Sequence, residues 1–341
     1  MKFGPVPLDE AEGKILGHNI AGPDGRRAFR KGNPLTAADV KELRALGRST
    51  VYVAELEPDD VDEDMAARRI ALALMGEGLR LSGPSTGRAN LYTTARGLLR
   101  VDVERLAQLN SCTGVTLATL PNHMAVNEGK VAATMKILPY ALPAATVQAA
   151  AATARDPGPL LRVDALIPRR VGLILSGSPP SRERVERSFT AALQERLEAL
   201  GSTIDTVDFI PLNEEADEAR LAQKIKQRTA EGAELLILAG ETAIMDRHDI
   251  APRAVERVGG NVVCFGAPVD PGNLLMLAYL DQVPILGAPG CARSPKDNIV
   301  DLVLPRLLAG DALDMNDIVA FGHGGLLEDV PERPSPRSRL I

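Results

Sequence analysis

From Arg170 onward, short apolar runs alternate with longer stretches in which apolar positions recur every three to four residues. "RVGLILSG", "STIDTVDFIPL", "ELLILAG" and "NVVCFG" read as strands, the first apolar enough to be buried. Between them, "SRERVERSFTAALQERLEALG", "ARLAQKIKQRTAEG" and "APRAVERVGG" read as helices, the first stopped by Gly201. "NLLMLAYLDQVPILGAPG" predicts a hairpin turning at Asp281–Gln282, and "DNIVDLVLPRLLAG" a last helix. This alternation predicts an α/β domain over residues 170–325, three layers built on a mostly parallel sheet.

The first 155 residues follow a different rhythm and predict an α+β region, divisible into two small subdomains. Thr36 and Asp39 have the spacing of a capping box, Leu43 and Leu46 share a face of the helix that follows, and Gly47 can end it. "TVYVA" then reads as a strand, and "DVDEDMAARRIALALMGEGL" as a helix with acids at its positive end. "GRANLYTT", "GVTLATL" and "KVAATMKIL" read as strands, with "RVDVERLAQLN" a helix between the first two. Pro and Gly interrupt "RDPGPLLRVDALIPRR" without visible period, so residues 156–169 are expected as the linker. Residues 326–341, rich in Pro and Arg, are expected as an extended tail.

Composition narrows the function. Of 341 residues, 45% are hydrophobic and only 3% aromatic, with no Trp, so the cores must be aliphatic. Few rings and a net charge of −6 argue against a nucleic-acid surface, which needs stacking platforms and a basic field. Three well-separated cysteines, Cys112, Cys264 and Cys291, form no zinc spacing and fit a reducing cytoplasmic setting. The opening "MKFGPVPLDEAEGKIL" has Pro and acids where a signal peptide needs an apolar core, and no apolar run reaches membrane length, so no membrane association is expected.

Ligands of open α/β sheets bind beyond the carboxyl ends of the strands, which selects three loops. "SGSPPS", carrying Ser176, Gly177 and Ser178, follows the first strand and also suits an ordinary helix start. "GAPGCARSPKDN" suits an anion: Gly287 and Gly290 permit close backbone approach, Arg293, Lys296 and Ser294 are donors, and a helix N-terminus follows. A tight turn with solvated charges is the alternative. "AGETAIMDRHD" brings Glu241, Asp246, Arg247, His248 and Asp249 to the end of a buried strand. Its carboxylates suit Mg²⁺, or the paired N–H donors of a heterocycle, while Asp249 also stands where a helix N-cap belongs. Cys291 has no histidine near it in sequence to act as base, and there is no Walker loop or dinucleotide fingerprint.

Residues 170–310 resemble the molybdopterin-binding domain shared by molybdopterin adenylyltransferases, molybdenumtransferases and gephyrin. "LAGETAIMDRHDIAPRAV" is similar to that family's glycine–threonine loop, with Gly240, Thr242 and Asp249 at the matching places. "PILGAPGCARS" resembles its second hallmark through Gly287, Pro289 and Gly290, and "PVPLDEAEGKILGHNI" resembles the start of the molybdenumtransferases. The N-terminal half is most similar to a subgroup in which this module precedes a nucleotidyltransferase domain. Departures are Glu241 and Ala243 at small or flexible positions, one residue inserted before Asp249, Leu212 and Asn213 where active adenylyltransferases carry Asp, and Cys291 for Asn or Ser.

The resemblance implies molybdopterin as ligand or substrate, bound in molybdenum cofactor biosynthesis. It implies a molybdenumtransferase in which Asp249 and Asp246 are catalytic, Asp249 and Glu214 hold Mg²⁺, and molybdate and an adenine nucleotide are partners. Ser176, Gly177, Ser178, Gly240, Glu241, Thr242, Gly287, Pro289, Gly290, Arg293 and Ser294 would line the pterin pocket. A homo-oligomer, with a dimer favoured, is implied as well. The departures favour an alternative, a non-catalytic carrier or sensor of the cofactor; a nucleotide pyrophosphatase on a related fold is the third reading.

Overall fold

A computed structural model describes residues 1–212 and 217–327, which form two compact units, Met1–Asp164 and Ala165–Ile341. Both mix helices and strands, and the fold is α/β.

The first unit holds two separate cores. Leu8, Leu16, Phe29, Leu35, Leu43, Val51 and Val53 make a small one. It lies under a three-stranded antiparallel sheet ordered Lys2–Pro7, Thr50–Glu55 and Ile15–Leu16. The helix Ala37–Ala45 packs here and begins with the expected capping box: Thr36 Oγ1 accepts from Asp39 N, and Asp39 Oδ2 accepts from Thr36 N. The second core joins the helices Glu63–Leu74 and Ala144–Arg155 to a four-stranded sheet ordered Val115–Thr119, Val131–Ile137, Arg88–Thr93 and Leu79–Leu81.

Two features depart from the sequence reading. Gly97–Val101 is a strand that its Gly start concealed. Leu161–Ala165, inside the expected linker, is a strand in the same three-stranded sheet. Its pattern is a short alternation in which Leu161 and Val163 point inward, too brief to stand out beside the Pro and Gly before it.

The second unit is the predicted alternation. Its elements in chain order are β1 (Arg170–Gly177), α1 (Arg182–Ala199), β2 (Thr203–Pro211), α2 (Asp217–Ala230), β3 (Leu235–Gly240) and α3 (Ile250–Arg257). There follow β4 (Asn261–Phe265), β5 (Met276–Leu280), β6 (Val283–Gly287), α4 (Ile299–Leu308) and the short α5 (Met315–Ala320). The sheet order is β2-β1-β3-β6-β5-β4, with β2, β1, β3 and β6 parallel and β5 antiparallel to both its neighbours. The β5–β6 hairpin turns at Asp281–Gln282, with Leu280 opposite Val283 and Asp281 left-handed.

Alternation of side chains along the buried strands builds the three layers. Val171, Leu173 and Leu175 of β1 face Phe189, Leu193 and Leu197 of α1 and Val303, Leu304 and Leu307 of α4. Ile174 faces the other way, toward Leu221 and Ile225 of α2 and Ala254 and Val255 of α3.

Candidate functional site

The chain winds from β1 outward to β2 on one side and to β3 on the other, so the order of strands reverses between β1 and β3. Such a reversal opens a crevice at the carboxyl ends, because the two connections leave in opposite directions. The loops after β1, β3 and β6 all emerge at this edge, since β1–β3 and β3–β6 pair in parallel.

The protein fills that crevice itself. Glu241, directly after β3, turns back over the end of β1. Its Oε2 accepts from the backbone N–H and hydroxyl of Ser178 at 2.8 and 2.7 Å, and its Oε1 from Arg184 at 3.0 Å. The backbone N–H of Glu241 donates to Ser176 O at 2.8 Å. The Ser178 N–H, the Ser178 hydroxyl and the Ser181 hydroxyl, with Arg184 beyond them, push the Glu241 carboxyl down to about 2. Glu241 is therefore an anion at the start of α1, the position a bound phosphate would be expected to take. Gly177 and Gly240 serve this closure. A Cβ on Gly177 would fall 2.7 Å from Ser181 Oγ and 2.9 Å from Glu241 Cβ, and one on Gly240 would fall 2.6 Å from Ser176 Oγ.

The rest of the loop after β3 also satisfies itself. Asp249 precedes α3 at its N-cap but makes no side-chain cap bond. Instead its Oδ2 accepts from Met245 N at 2.5 Å and Asp246 N at 3.1 Å. Asp246 accepts from the backbone N of His248 and lies 2.7 Å from its Nδ1, both side chains being well exposed. Asp249 and Asp246 thus face different partners instead of one shared centre. Among the described residues no group of three or more His, Cys, Asp or Glu could hold a metal ion. Glu214, expected as a metal ligand, and the neighbouring Asn213 lie outside the described residues, as do residues 328–341 of the expected tail. Thr242 is exposed on the outer rim.

The loop after β6 is held from below by Arg196, which the sequence reading passed over. Its side chain is 9% exposed. It donates to the carbonyls of Ala292, Ser294 and Lys296 and to the Asp301 carboxylate, Nε to Oδ1 being 2.8 Å. Arg196 lies on the α1 stripe formed by Phe189, Leu193 and Leu197. A charge on an apolar stripe was the signal that could have found it.

The short helix Gly290–Arg293 is capped at Pro289, whose carbonyl accepts from Ala292 N at 3.0 Å. Ser294 Oγ accepts from Lys296 N at 3.2 Å. The N–H groups at the start of α4, expected to be unpaired, are taken by a capping box of Asn298 and Asp301 and by Pro271 O. Gly287 makes room for protein rather than ligand, because its Cβ would meet Met276 Cβ at 2.7 Å and Ile244 Cδ1 at 2.8 Å. Arg293 and Lys296 are the exposed cations of this loop. Arg293 Nε donates to Gly290 O at 2.9 Å and its guanidinium lies 5.7 Å from the Phe189 ring centre. Its Nη groups make no hydrogen bond among the described residues. Burial pushes the Cys291 thiol up, away from the thiolate a nucleophile needs.

At the opposite, amino edge of the sheet a cleft of about 280 Å³ is lined by Arg169, Glu234, Tyr279, Asp281 and Asp311. Several of its polar groups are engaged internally: Glu234 accepts from Arg170 N, Tyr279 Oη bonds both polar groups of the Leu313 backbone, and Asp311 pairs with Arg306. The exposed donors of the loops after β3 and β6 lie at the opposite, carboxyl edge. No described helix is long and apolar enough to cross a membrane.

One family matches part of the chain, "Domain of unknown function (DUF8806)", over residues 5–55. No curated protein matches. Among solved structures, a molybdenum cofactor biosynthesis protein from Pyrococcus furiosus is similar at 14% identity and a TM-score of 0.24. That match covers 94% of this chain, which spans 65% of the length of that protein. A molybdopterin biosynthesis moeA protein from Pyrococcus horikoshii matches at 12% identity and 0.28, covering 94% of this chain and 75% of the other. A molybdenum cofactor biosynthesis protein B matches at 14% and 0.29, over 41% of this chain and 95% of its own. TM-scores this low leave these as likenesses.

Proposed function

We propose that the second unit binds a phosphorylated pterin of the molybdopterin type and serves molybdenum cofactor biosynthesis as a carrier, not as a molybdenumtransferase. Support for the ligand comes from the likeness of "LAGETAIMDRHDIAPRAV" and "PILGAPGCARS" to the family's two hallmarks. Register supports it further, because β3 and β6 are neighbours and deliver both stretches to one edge. Arg293, whose Nη groups make no hydrogen bond among the described residues, can take a phosphate through paired charged hydrogen bonds. Thr242 on the rim supplies a hydroxyl to a polar ring edge.

The observation that carries the choice of carrier is the state of Asp249. Its Oδ2 accepts from the N–H groups of Met245 and Asp246, so this oxygen organises its own loop. A transferase needs a centre that positions molybdate against the dithiolene and neutralises charge there, and the acids of this loop do not converge to make one.

The test is retention of molybdopterin by the purified chain under anaerobic conditions, read by pterin fluorescence after oxidation. Retention at micromolar or tighter affinity, indifferent to Mg²⁺ and to Asp249→Asn, is expected of a carrier. Arg293→Ala should weaken it about tenfold or more, the cost of a charged hydrogen-bonded pair. Mg²⁺-dependent molybdate insertion that Asp249→Asn abolishes would establish the transferase instead. Absence of retention in every condition would overturn the reading.

A further inference from the structure

The first unit carries a feature that this function does not use. The chain has only six Phe and four Tyr and no Trp, yet Phe3, Tyr52 and Tyr140 gather with His18 in one cluster. Phe3 and Tyr52 stand on the outer face of the sheet formed by Lys2–Pro7 and Thr50–Glu55, where Tyr52 lies opposite Pro5. They are 47% and 48% exposed. His18 packs edge-on to Phe3 at 5.6 Å and tilted to Tyr52 at 5.4 Å, and Tyr140 stacks with Phe3 at 6.4 Å. Tyr140 is fixed by its hydroxyl, which donates to Gly17 O at 2.8 Å. A Cβ on Gly17 would meet the Phe3 ring at 2.7 Å, so glycine there lets the ring lie against the backbone. Rings that could be buried elsewhere in an aromatic-poor chain are held together here, with Phe3 and Tyr52 about half exposed.

Cations flank the rings. The hairpin that pairs Ile20–Ala21 with Arg27–Phe29 bears Arg26, Arg27, Arg30 and Lys31, all exposed. Its base adjoins the cluster: Lys31 N donates to Asn19 Oδ1 at 2.9 Å, and the Cβ position of Gly32 is 3.6 Å from Tyr140 Cε1. Several acids at this end of the unit are engaged: Glu55 with Lys14, Glu57 and Asp60 with the N-terminal ammonium, and Glu63 with Lys136, while Glu63 also acts electrostatically on Lys31 and Asp24 in the hairpin turn accepts from Arg26 N at 3.0 Å. None of the four hairpin cations has an ion-pair partner among the described residues. Half-exposed rings beside a hairpin that carries four cations and one acid complement a flat ring that carries an anion.

We propose that Phe3, His18, Tyr52 and Tyr140, together with Arg30 and Lys31, form a binding platform for a phosphorylated flat heterocycle. The ring stacks on Tyr52 and Phe3, and the phosphate lies toward Arg30 and Lys31, with Arg27 further along the hairpin. Nucleotides and pterin phosphates share this chemistry. The platform belongs to the first unit and stands independently of the pterin reading of the second.

The experiment is calorimetric titration of the full chain with GMP, guanosine, inorganic phosphate, neopterin phosphate and neopterin. GMP, neopterin phosphate or both should bind saturably, and each half alone at least about tenfold more weakly, because ring and phosphate contacts act together. Preference for GMP would identify a nucleotide platform and preference for neopterin phosphate a pterin one. Tyr52→Ala should weaken binding roughly 5- to 100-fold, the range for loss of one stacking ring. Lys31→Ala should weaken it and flatten its salt dependence. Both side chains are exposed, so unchanged thermal unfolding is expected of each variant and separates lost binding from lost fold. Arg293→Ala should leave this binding untouched. Absence of saturation by every phosphorylated probe, or binding abolished by Arg293→Ala and indifferent to Tyr52→Ala and Lys31→Ala, would overturn the proposal.

Discussion

Arg196→Met is the substitution that most directly tests how the loop after β6 is held. Methionine keeps an unbranched stem against Leu193 and Leu197 but removes every donor. Five acceptors then lose a partner: the carbonyls of Ala292, Ser294 and Lys296, the Asp301 carboxylate, and Ala192 O within the helix itself, which loses least. Lys296 O is near solvent and can take water, and Asp301 still accepts from Asn298 N at 2.9 Å, so these two lose little. Ala292 is fully buried and Ser294 half-buried, and their carbonyls are stranded at about 1–2 kcal/mol each. Adding the unpaired charge of Asp301, the total is about 3–5 kcal/mol, the range found when one partner of a buried ion pair is deleted. For a unit of this size that is a fall in Tm of roughly 6–20 °C. Urea unfolding read by circular dichroism measures it, with Arg196→Lys as companion. Lysine restores charge without the planar fork and should recover only part of the loss. A cost below about 1 kcal/mol for Arg196→Met, or full recovery by lysine, would refute the view that one guanidinium organises this loop.

Two further substitutions probe the same edge. In Glu241→Gln the acid sensitivity should change sign-specifically. The Glu241 carboxyl is held down to about 2 in the folded chain, so its stabilisation is complete above the ordinary value near 4.5 and is lost as pH falls toward 2. Stability of the glutamine variant should trail the wild type by a constant margin above about pH 5 and converge with it below that; a margin unchanged down to pH 2 would contradict the assignment. Gly287→Ala should destabilise by about 1–3 kcal/mol through overpacking, since Met276 Cβ cannot swing aside as Ile244 Cδ1 can. Thermal unfolding checks it, and an unchanged Tm would mean that the strand end is looser than it looks.

Legibility in the sequence followed the range of the interactions. Alternation of strand and helix after Arg170 is local, and it sufficed for the layers, the parallel sheet and the hairpin turn at Asp281–Gln282. Thr36 and Asp39 are three residues apart, so their capping box could be read directly. Glu241 and Ser178 are separated by 63 residues, and nothing in either loop alone says that one closes on the other. That N–H groups of the same loop engage the carboxylates of Asp246 and Asp249 leaves no mark on the sequence. Arg196 did leave one, a charge on an apolar stripe, but its acceptors are backbone carbonyls of a loop about a hundred residues away. The aromatic cluster was hidden differently: composition counts rings over the whole chain and cannot show that three of the few stand together.

The closure between β1 and β3 bears on how any ligand reaches this edge. Where strand order reverses, many α/β proteins place an anion against a helix start; here Glu241 supplies that anion from within the chain. A phosphate entering the crevice would have to displace a carboxylate held by three hydrogen bonds, and until displaced that carboxylate repels it. The cations nearest the opening differ in this respect. Arg184 is already paired with Glu241, whereas Arg293 stands outside the closure and its Nη groups make no hydrogen bond among the described residues. A phosphorylated ligand is therefore expected on the rim between the loops after β3 and β6, against Thr242 and Arg293, and not in the crevice itself. That placement suits a protein that must give its ligand up, because an exposed anion held by one arginine leaves more readily than one buried on a helix start.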